Sequence, residues 1–481
     1  MPDVRIFHTH IEVCPYKEGD CYEIERIMSK YDTVTHKRIP IGYYIEDNTL
    51  YLPRGINLSL LEKHFNTTPA VVSQCDEYSK IKKGTASFDP KSNIQEKAIN
   101  FLTAKEDYAY TGRFSQLGLN LDTGDGKTYS AITAVLKLKI KAIIITHKET
   151  LKQQWIKTLD EMTSFPMENL CNISGSDVMN AIMNGELRDV DIYCVNHQTI
   201  NSYAREHGWK AVREFFKKIR VGIKIIDEAH KFFESTFMID NFSNCFKTFY
   251  LTATFGRSDP TEVAIYNRAF SSLVRYGEET IHYKEKRKHI KFIVVYFNSQ
   301  PNYGIKPNVR TAHGFSNYKY IDYELSEENN SLRKVLYNIL DQTSHLEGKT
   351  LVISPKTETV DTLANNIKER LGIEVGTVHS KNKSAENQEN LQKQIISSTV
   401  KSLGEGNDIK GLRVLINLDP IGSKSLADQL RGRLREYSKE DDTYLFYPVD
   451  LTVPETSEMV KRILPTMKKK CKEIIFMRMN V

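Results

Sequence analysis

The sequence predicts an α/β protein with two parallel-sheet domains in tandem, preceded by a small α+β domain. From residue 94 onward, short apolar β-branched runs alternate with segments of helical periodicity, which is the pattern of a doubly wound parallel sheet. A glycine-rich stretch follows one of these runs, and an acidic pair ends another. Because ligands of open α/β sheets gather at the carboxyl ends of the strands, these two features predict a shared site at one sheet edge.

The chain of 481 residues is long enough for several hydrophobic cores. A polar stretch with Gly and Pro at 79–93 marks a first boundary, and a second set of alternating elements begins near Lys291. We therefore predict an N-terminal domain, a first α/β domain, a second α/β domain and a basic tail, at 1–85, 86–285, 286–455 and 456–481.

The N-terminal domain is predicted to combine short strands with helices. Residues 5–13 alternate like a strand, and residues 21–31 have helical spacing. Two short strands around a turn at Asp47 and Asn48 follow, and then a helix over 58–65. The interleaved Tyr43, Tyr44, Tyr51 and Arg54 indicate either a nucleic-acid surface or a half-buried sheet face.

The strands of the two α/β domains are predicted from their apolar runs. In the first domain these are 141–147, 191–197, 221–227 and 248–254. In the second domain they are 291–297, 349–355, 373–380, 394–400, 414–420 and 443–449.

The glycine-rich stretch LDTGDGKT, residues 121–128, is typical of a phosphate-binding loop. Its glycines let backbone N–H groups turn toward phosphates, and the following helix adds a partial positive charge. We predict ATP binding by Thr123, Gly124, Asp125, Gly126, Lys127 and Thr128, with the Thr128 hydroxyl on Mg²⁺. Leu121 takes the place of the usual first glycine, so a simple glycine-rich turn is the alternative.

The acidic pair Asp227 and Glu228 ends the buried run VGIKIIDEAH. Asp227 is predicted to hold Mg²⁺, and Glu228 to orient and polarise the water that attacks the γ-phosphate. A solvated acidic turn after a strand is the alternative interpretation.

Composition restricts the class of protein and its surroundings. The formal net charge of +6 weakly favours a polyanionic partner. The seven cysteines lack zinc-ligand spacing and favour a reducing compartment. We find neither a signal peptide nor an apolar run of the roughly 18 residues that a membrane span needs. We therefore expect a cytoplasmic, monomeric protein without a membrane partner.

Several short motifs in a fixed order resemble those of the superfamily-2 nucleic-acid helicases, from about Ser92 to Tyr447. The matching segments are SNIQEKAIN, THKETLKQQW, VNHQTI, DEAH, LTATFGR, TVHS, TVKSLGEGNDI and QLRGRLRE. The resemblance implies two RecA-like domains with ATP bound between them, and an adenine contact from Gln95. It also implies nucleic-acid contacts from Lys148, Gln198, Thr199 and His379, and coupling residues Thr252, Thr254, Gly406 and Asp408.

The last motif departs from the family pattern Q-x-x-G-R-x-x-R. Gln429 is in place and is assigned with the catalytic residues, but the position of the final arginine holds Glu436, and Arg435 comes one residue early. On a helix, one residue is a rotation of about 100°. Three arginines are therefore candidates for the charge-stabilising finger, with the second preferred because it follows a glycine: Arg431, Arg433 and Arg435.

Within the superfamily, the chain resembles the phage-encoded UvsW-like branch-migration helicases. The Tyr-Leu-Pro-Arg-Gly end of the N-terminal domain, residues 51–55, and the spacing between Gly406 and Gln429 carry this resemblance. It implies action on forked, branched or single-stranded DNA without sequence specificity, in the cytoplasm of a bacterial host. A nucleotide-gated clamp on branched DNA and an RNA helicase are the alternatives.

Two basic segments have no assigned motif. Residues 301–323 are rich in aromatic and basic side chains, among them Arg310 and Tyr318, which predicts either a strand-contacting insertion or a long surface loop. The segment 467–479 is predicted either to touch phosphates or to form the solvated face of a terminal helix.

Overall fold

A computed structural model gives the fold of this chain as two compact units, Met1–Tyr283 and Lys284–Val481. The residues that the structure describes are 2–32, 35–72, 74–85, 90, 93–104, 115–121, 124–252, 260–277, 288–299, 309–311, 314–326, 330–400, 402, 409–438 and 440–481.

The first 71 residues form a five-stranded sheet, a separate two-stranded ribbon and two helices. The strands are β1 (Asp3–Ile6), β2 (His10–Cys14), β3 (Ser29–Asp32), β4 (Lys37–Pro40), β5 (Tyr44–Glu46), β6 (Thr49–Pro53) and β7 (Ala70–Val71). The helices are α1 (Tyr22–Ile27) and α2 (Leu58–Phe65). The sheet has the order β5-β6-β2-β1-β7, and β3 pairs only with β4 among the described residues.

Local sequence explains the hairpin and the helix that were predicted here. Asp47 and Asn48 have φ values of 49° and 58°, the left-handed pair that a tight two-residue hairpin turn requires. The Asn57 side chain caps α2 by accepting a hydrogen bond of 3.1 Å from the Ser59 amide.

The N-terminal sheet shares one hydrophobic core with the first α/β sheet. Val13 and Leu52 belong to the same buried cluster as Phe233 and Tyr250. Tyr51 is only 5% exposed, and its ring centroid lies 5.0 Å from that of Phe242. The aromatic residues noted in this domain therefore pack as a half-buried sheet face.

The first α/β sheet has seven parallel strands in the order β10-β11-β9-β12-β13-β8-β14. Its strands are β8 (Gln116–Asn120), β9 (Ala142–Thr146), β10 (Leu170–Asn172), β11 (Ile192–Asn196), β12 (Ile223–Asp227), β13 (Lys247–Thr252) and β14 (Val274–Gly277). Its helices are α3 (Asn93–Thr103), α4 (Lys127–Leu138), α5 (Glu149–Met162), α6 (Ser176–Asn184), α7 (His197–His207), α8 (Trp209–Ile219), α9 (Phe233–Asn241) and α10 (Pro260–Ala269). The central strands are buried on both faces, which explains their continuous apolar runs.

The second unit repeats this architecture with the order β19-β20-β18-β21-β22-β15-β23. Its strands are β15 (Ile290–Phe297), β18 (Lys349–Ser354), β19 (Val375–Val378), β20 (Ile395–Thr399), β21 (Leu412–Asn417), β22 (Thr443–Asp450) and β23 (Glu473–Arg478), with a ribbon of β16 (Arg310–Thr311) and β17 (Gly314–Phe315). Its helices are α11 (Asn317–Ser326), α12 (Ser331–Thr343), α13 (Thr357–Leu371), α14 (Ser384–Asn390), α15 (Lys424–Arg431) and α16 (Pro454–Lys470).

The C-terminal residues are not a separate tail. Residues 454–470 form α16, and β23 pairs in parallel with β15 at the sheet edge. The alternating exposure of β23, with basic and acidic residues at its ends, concealed this edge strand from the sequence pattern. The boundary predicted at 455 therefore falls inside the second unit.

The predicted insertion at 301–323 is described only in part. Its described residues form the β16–β17 ribbon and the start of α11, while 301–308 and 312–313 lie outside the described residues. The Asn317 amide of α11 donates to the Pro420 carbonyl at 2.7 Å, which fixes the helix on the sheet edge.

None of the seven cysteines forms a disulfide. Across the described residues, every helix is too short or too polar to cross a lipid bilayer.

Candidate functional site

The glycine-rich loop connects β8 to α4. Gly124 and Gly126 have φ values of 99° and 85°, in the left-handed region that side chains disfavour. A Cβ atom at Gly126 would overlap the amide group of Gln95, so this glutamine from α3 lies directly against the loop. Thr123 lies outside the described residues.

The loop has the properties that a phosphate requires. It ends at the first turn of α4, a helix of 12 residues whose N-terminus carries a partial positive charge. Lys127 is the first residue of α4, and its Nζ donates to the Leu121 carbonyl at 2.7 Å across the loop. The ammonium group and the glycine backbone therefore lie together, as phosphate binding needs.

Asp227 is the last residue of β12 and is 8% exposed. Its Oδ2 accepts a hydrogen bond of 2.8 Å from the Trp155 indole, and its Oδ1 accepts one of 3.0 Å from the Glu228 amide. Two donors thus fix the orientation of this carboxylate. A fixed carboxylate beside a phosphate site suits Mg²⁺, which usually takes one or two protein carboxylates together with phosphate oxygens.

His230 links the acidic pair to the neighbouring strand. Strand β13 lies between β12 and β8. The Nδ1 atom of His230 is 2.8 Å from Thr252 Oγ1 on β13 and 3.3 Å from Glu228 Oε2. The predicted coupling residue Thr252 is therefore joined to the acidic pair through one imidazole, whereas Thr254 lies outside the described residues.

Two helix N-termini with exposed polar residues lie at the same sheet edge. Lys148 occupies the N-cap position of α5 after β9, and Gln198 and Thr199 belong to the first turn of α7 after β11. Lys148 and Gln198 are exposed, and Thr199 is half-buried. Neighbouring strands carry these helices, so their partial positive charges are close together and can attract a chain of phosphates.

Hydrogen bonds brace the turns that carry these residues. Thr146 Oγ1 and Asn196 Oδ1 are 2.7 Å apart, and the Asn196 amide donates to Glu149 Oε2 at 2.9 Å. The ends of β9 and β11 are therefore held in register by side chains as well as by the sheet.

Phe232 is a residue of this edge that the sequence interpretation missed. Its side chain is 45% exposed, and its ring centroid lies 5.5 Å from that of His147 and 5.8 Å from that of His197. Burial lowers the pKa of His147 to about 4 and that of His197 to about 3, so both rings are neutral at pH 7. Phe232 also lines an open pocket of about 410 Å³. An aromatic residue two positions after DEAH was the available signal.

The arginines of the last motif differ in their surroundings. Arg431 is buried, and its Nε lies 2.7 Å from Asp428 Oδ1, while Lys470 Nζ lies 2.8 Å from Asp428 Oδ2. This buried cluster gives Arg431 a structural role. Helix α15 ends at Arg431, and Arg433 follows in a turn, so the rotation expected for a continuous helix does not apply to Arg433 and Arg435.

The other predicted residues of the second unit are placed as follows. Gln429 is half-buried in α15, and Tyr318 is 46% exposed on α11. His379 was expected to contact nucleic acid, but it is 4% exposed and its Nε2 lies 2.9 Å from Asp361 Oδ1. This histidine therefore braces the turn rather than reaching outward. Gly406, Asp408 and the Arg310 side chain lie outside the described residues.

Two family models match the chain. Residues 90–257 match the type III restriction enzyme res subunit, and residues 331–436 match the helicase conserved C-terminal domain. Together these matches cover more than half of the 481 residues. No curated protein matches the chain significantly.

Solved structures match the chain at low sequence identity. The structure of S. cerevisiae Dbp5 bound to RNA and ADP BeF3 is 15% identical, with 81% of this chain and 90% of that chain covered and a TM-score of 0.53. The DEAD-box helicase Mss116 bound to ssRNA and UDP-BeF is 15% identical, with 81% and 75% covered and a TM-score of 0.53. T4 UvsW is 15% identical over 99% of both chains, with a TM-score of 0.37. The two tandem sheets are RecA-like, which confirms the predicted fold class.

Proposed function

Because this chain belongs to the superfamily-2 helicases, we propose that it is an ATP-driven motor that unwinds or branch-migrates forked and junction DNA. The observation that carries the ATPase part is the edge of the first sheet. Three neighbouring strands of the sheet end there. Strand β8 leads into the phosphate loop, β12 leads into Asp227 and Glu228, and β13 ends at Thr252, which contacts His230. The preference for DNA rests on the UvsW-like sequence features.

In this proposal, the first unit binds ATP through its own loop. Gln95 reads the adenine, and the backbone of Gly124, Asp125 and Gly126 binds the phosphates together with Lys127. Thr128 and Asp227 would hold Mg²⁺, which neutralises charge on the β- and γ-phosphate oxygens when bound. The two donors on Asp227 keep its carboxylate in one orientation for this task.

Glu228 is the residue that we assign to water activation. Its carboxylate lies next to Asp227 in sequence, and its φ of 50° directs the chain away from the strand at this point. The link from Glu228 through His230 to Thr252 gives a route by which the phosphate state alters β13. Gln429, Arg433 and Arg435 remain the candidates for stabilising charge in the transition state, since the buried Arg431 side chain is already bound to Asp428.

Nucleic acid is assigned to the outer part of the same edge. Lys148, Gln198 and Thr199 present a charge and two helix N-termini to the sugar-phosphate backbone. Phe232 adds an aromatic face on which a base can stack, an interaction of about 1–3 kcal/mol. Arg310 and Tyr318 are assigned to the same partner from the second unit. Backbone contacts of this kind carry no base-edge readout, so we expect little sequence specificity and a steep salt dependence.

The test is ATP hydrolysis by the purified chain, alone and with single-stranded, forked and four-way-junction DNA and with structured RNA. We expect the branched DNAs to stimulate hydrolysis most, and the Lys127→Ala variant to show no stimulation. Stimulation by RNA alone would contradict the assignment to DNA. ATP binding without stimulation by any nucleic acid would replace the motor with a nucleotide-gated clamp.

A further inference from the structure

The ribbon of β3 and β4 is a surface that the proposed function does not use. It is a two-stranded antiparallel sheet of its own, with Lys30 opposite Ile39 and Tyr31 opposite Arg38. All four residues of β4 are exposed. Tyr31 is 49% exposed and Ile39 is 45% exposed, so the ribbon presents apolar groups to water on both faces.

The ribbon carries more basic than acidic residues, and its one acidic residue, Asp32 of β3, lies opposite Lys37 of β4. Lys37 and Arg38 of β4 and the adjacent Arg26 of α1 are exposed and form no ion pair with any described residue. Lys30 is the exception, because its Nζ lies 3.0 Å from Glu262 Oε1 on α10. Cations that lack a carboxylate partner on one exposed ribbon fit a polyanion.

The base of the ribbon is firmly attached to the protein. The amides of Ile41 and Gly42 both donate to the carbonyl of buried Met28, at 3.1 Å and 2.9 Å. The Lys30–Glu262 ion pair joins β3 to α10, the helix that follows the coupling motif LTATFGR. A two-stranded ribbon alone is marginally stable in water, so these attachments account for its fixed position.

We propose that the β3–β4 ribbon binds the double-stranded arm of a DNA substrate, with Lys37 and Arg38 on phosphates and Tyr31 against the groove wall. Paired strands are about 4.8 Å apart, and the B-DNA major groove of about 12 Å admits such a ribbon. The major groove of A-form RNA is too narrow and deep for side chains to read. The inference rests on the proposed function and deepens it, because it names the surface that holds the duplex arm of the forked or junction substrate.

The test compares Lys37→Ala/Arg38→Ala with a matched pair, Lys461→Ala/Arg462→Ala, which removes the same two charges from the exposed face of α16. Binding of blunt duplex DNA, single-stranded DNA and duplex RNA is measured by fluorescence anisotropy across a salt series. We expect the ribbon variant to lose about tenfold in duplex DNA affinity, and its log–log salt slope to fall by about 1.8, the value for two phosphate contacts. We expect Tyr31→Ala to weaken duplex binding without changing the slope.

Equal losses in the two charge variants, or a ribbon variant that binds duplex DNA like the parent, would overturn the inference. A loss confined to single-stranded DNA or to duplex RNA would do the same. Melting temperatures equal to that of the parent show that each variant is folded. DNA-stimulated ATP hydrolysis by the parent chain is measured in parallel. Absence of that stimulation would contradict the proposed function, whereas the binding data test the ribbon alone.

Discussion

The two α/β sheets of this chain have the same strand order and differ at the edge where ligands bind. Numbered by appearance within each sheet, the strands lie in the order third, fourth, second, fifth, sixth, first, seventh in both units. Strands β8 and β15 are therefore equivalent first strands, and β12 and β21 are equivalent fifth strands. Because the strand order is the same, differences between the two sites come from the turns that follow equivalent strands.

The turn after the second strand is the same in both units. Thr146 Oγ1 lies 3.2 Å from the Lys148 carbonyl oxygen, and Ser354 Oγ lies 3.3 Å from the Lys356 carbonyl oxygen. Each lysine occupies the N-cap position of the helix that follows. Each unit therefore places one lysine at a helix N-terminus, and we expect both lysines to contact phosphate.

The turn after the first strand is different. In the first unit β8 leads into the glycine loop. In the second unit, β15 leads into Ser299, whose amide donates to buried Asp450 at the end of the neighbouring strand β22. Asp450 also accepts hydrogen bonds from the Thr452 amide and hydroxyl and from the Tyr320 hydroxyl. The donors at this position are satisfied by a carboxylate of the protein itself. The position after the first strand thus carries the glycine loop in one unit and a structural contact in the other.

The largest effect is expected from Glu228→Gln. If only the first unit carries out chemistry, we expect this change to lower ATP hydrolysis by about 10²–10³-fold, because it removes the carboxylate that we assign to orienting the water. Binding of a fluorescent ATP analogue stays within about threefold of the parent, since the phosphate loop is intact. Phosphate release and equilibrium binding measure the two quantities.

The matched control is Asp419→Asn, which neutralises the acid that follows the fifth strand of the second unit. We expect hydrolysis by this variant to remain within about threefold of the parent, because its carboxylate bonds to Asn317 and belongs to the structural edge. A loss as large as that of Glu228→Gln would show that both edges take part in the chemistry.

The next largest effect is expected at Asp450, the buried carboxylate at the end of β22 in the second unit. Asp450→Ala leaves the donors of Ser299, Thr452 and Tyr320 without their acceptor, and we expect the free energy of unfolding of this unit to fall by about 3 kcal/mol. Hydrogen exchange followed by mass spectrometry measures this change segment by segment. Protection should fall in the strands of the second sheet, and an equal fall in the first sheet would contradict the separation of the units.

The two equivalent lysines provide a third test. Lys148→Ala is expected to weaken DNA binding about threefold to tenfold and to lower the salt slope by about 0.9, the value for one phosphate contact. Lys356→Ala is expected to have a smaller effect, because Asp322 already forms an ion pair with Lys356. Anisotropy titrations across a salt series measure both. If Lys356→Ala binds DNA like the parent at every salt concentration, phosphate contact by these lysines is restricted to the first unit.

The sequence predicted the elements whose signals are local. The glycine loop, the hairpin turn at Asp47 and Asn48, and the buried β-branched strands depend on residue types within a few positions. Strands β10 and β14 were missed because three or four residues at a sheet edge leave too short a pattern. The order of the strands, and hence the equivalence of Lys148 and Lys356, depends on contacts distant in sequence.

The site shows the same division. Gln95, Lys127 and Asp227 follow from motifs, but three facts needed tertiary structure: the ion pair that occupies Arg431, the burial of His379, and the exposure of Phe232. Each depends on a partner that the motif does not contain. The nucleic-acid surface of the N-terminal domain was sought among Tyr44 and Tyr51, which pack inward, while the exposed cations lie on the β3–β4 ribbon.

The smallest expected effect is a pH dependence. It distinguishes Asp227, at the fifth strand of the first sheet, from Asp419, at the fifth strand of the second. Asp227 accepts from two N–H donors, whereas Asp419 accepts from the Asn317 side-chain amide alone among the described residues, and burial raises the pKa of Asp419 from 3.8 to about 6. Between pH 3.8 and about pH 6, the folded chain binds more protons than the unfolded chain. The free energy that Asp419 contributes to stability therefore falls as pH rises. Asp419→Asn removes the charge and keeps an acceptor for Asn317. We therefore expect the variant to be more stable than the parent by about 1–2 kcal/mol at pH 7.5 and equal to it near pH 3.5. Urea denaturation across this range measures the difference, and a gain that is the same at both pH values would show that packing rather than charge causes it.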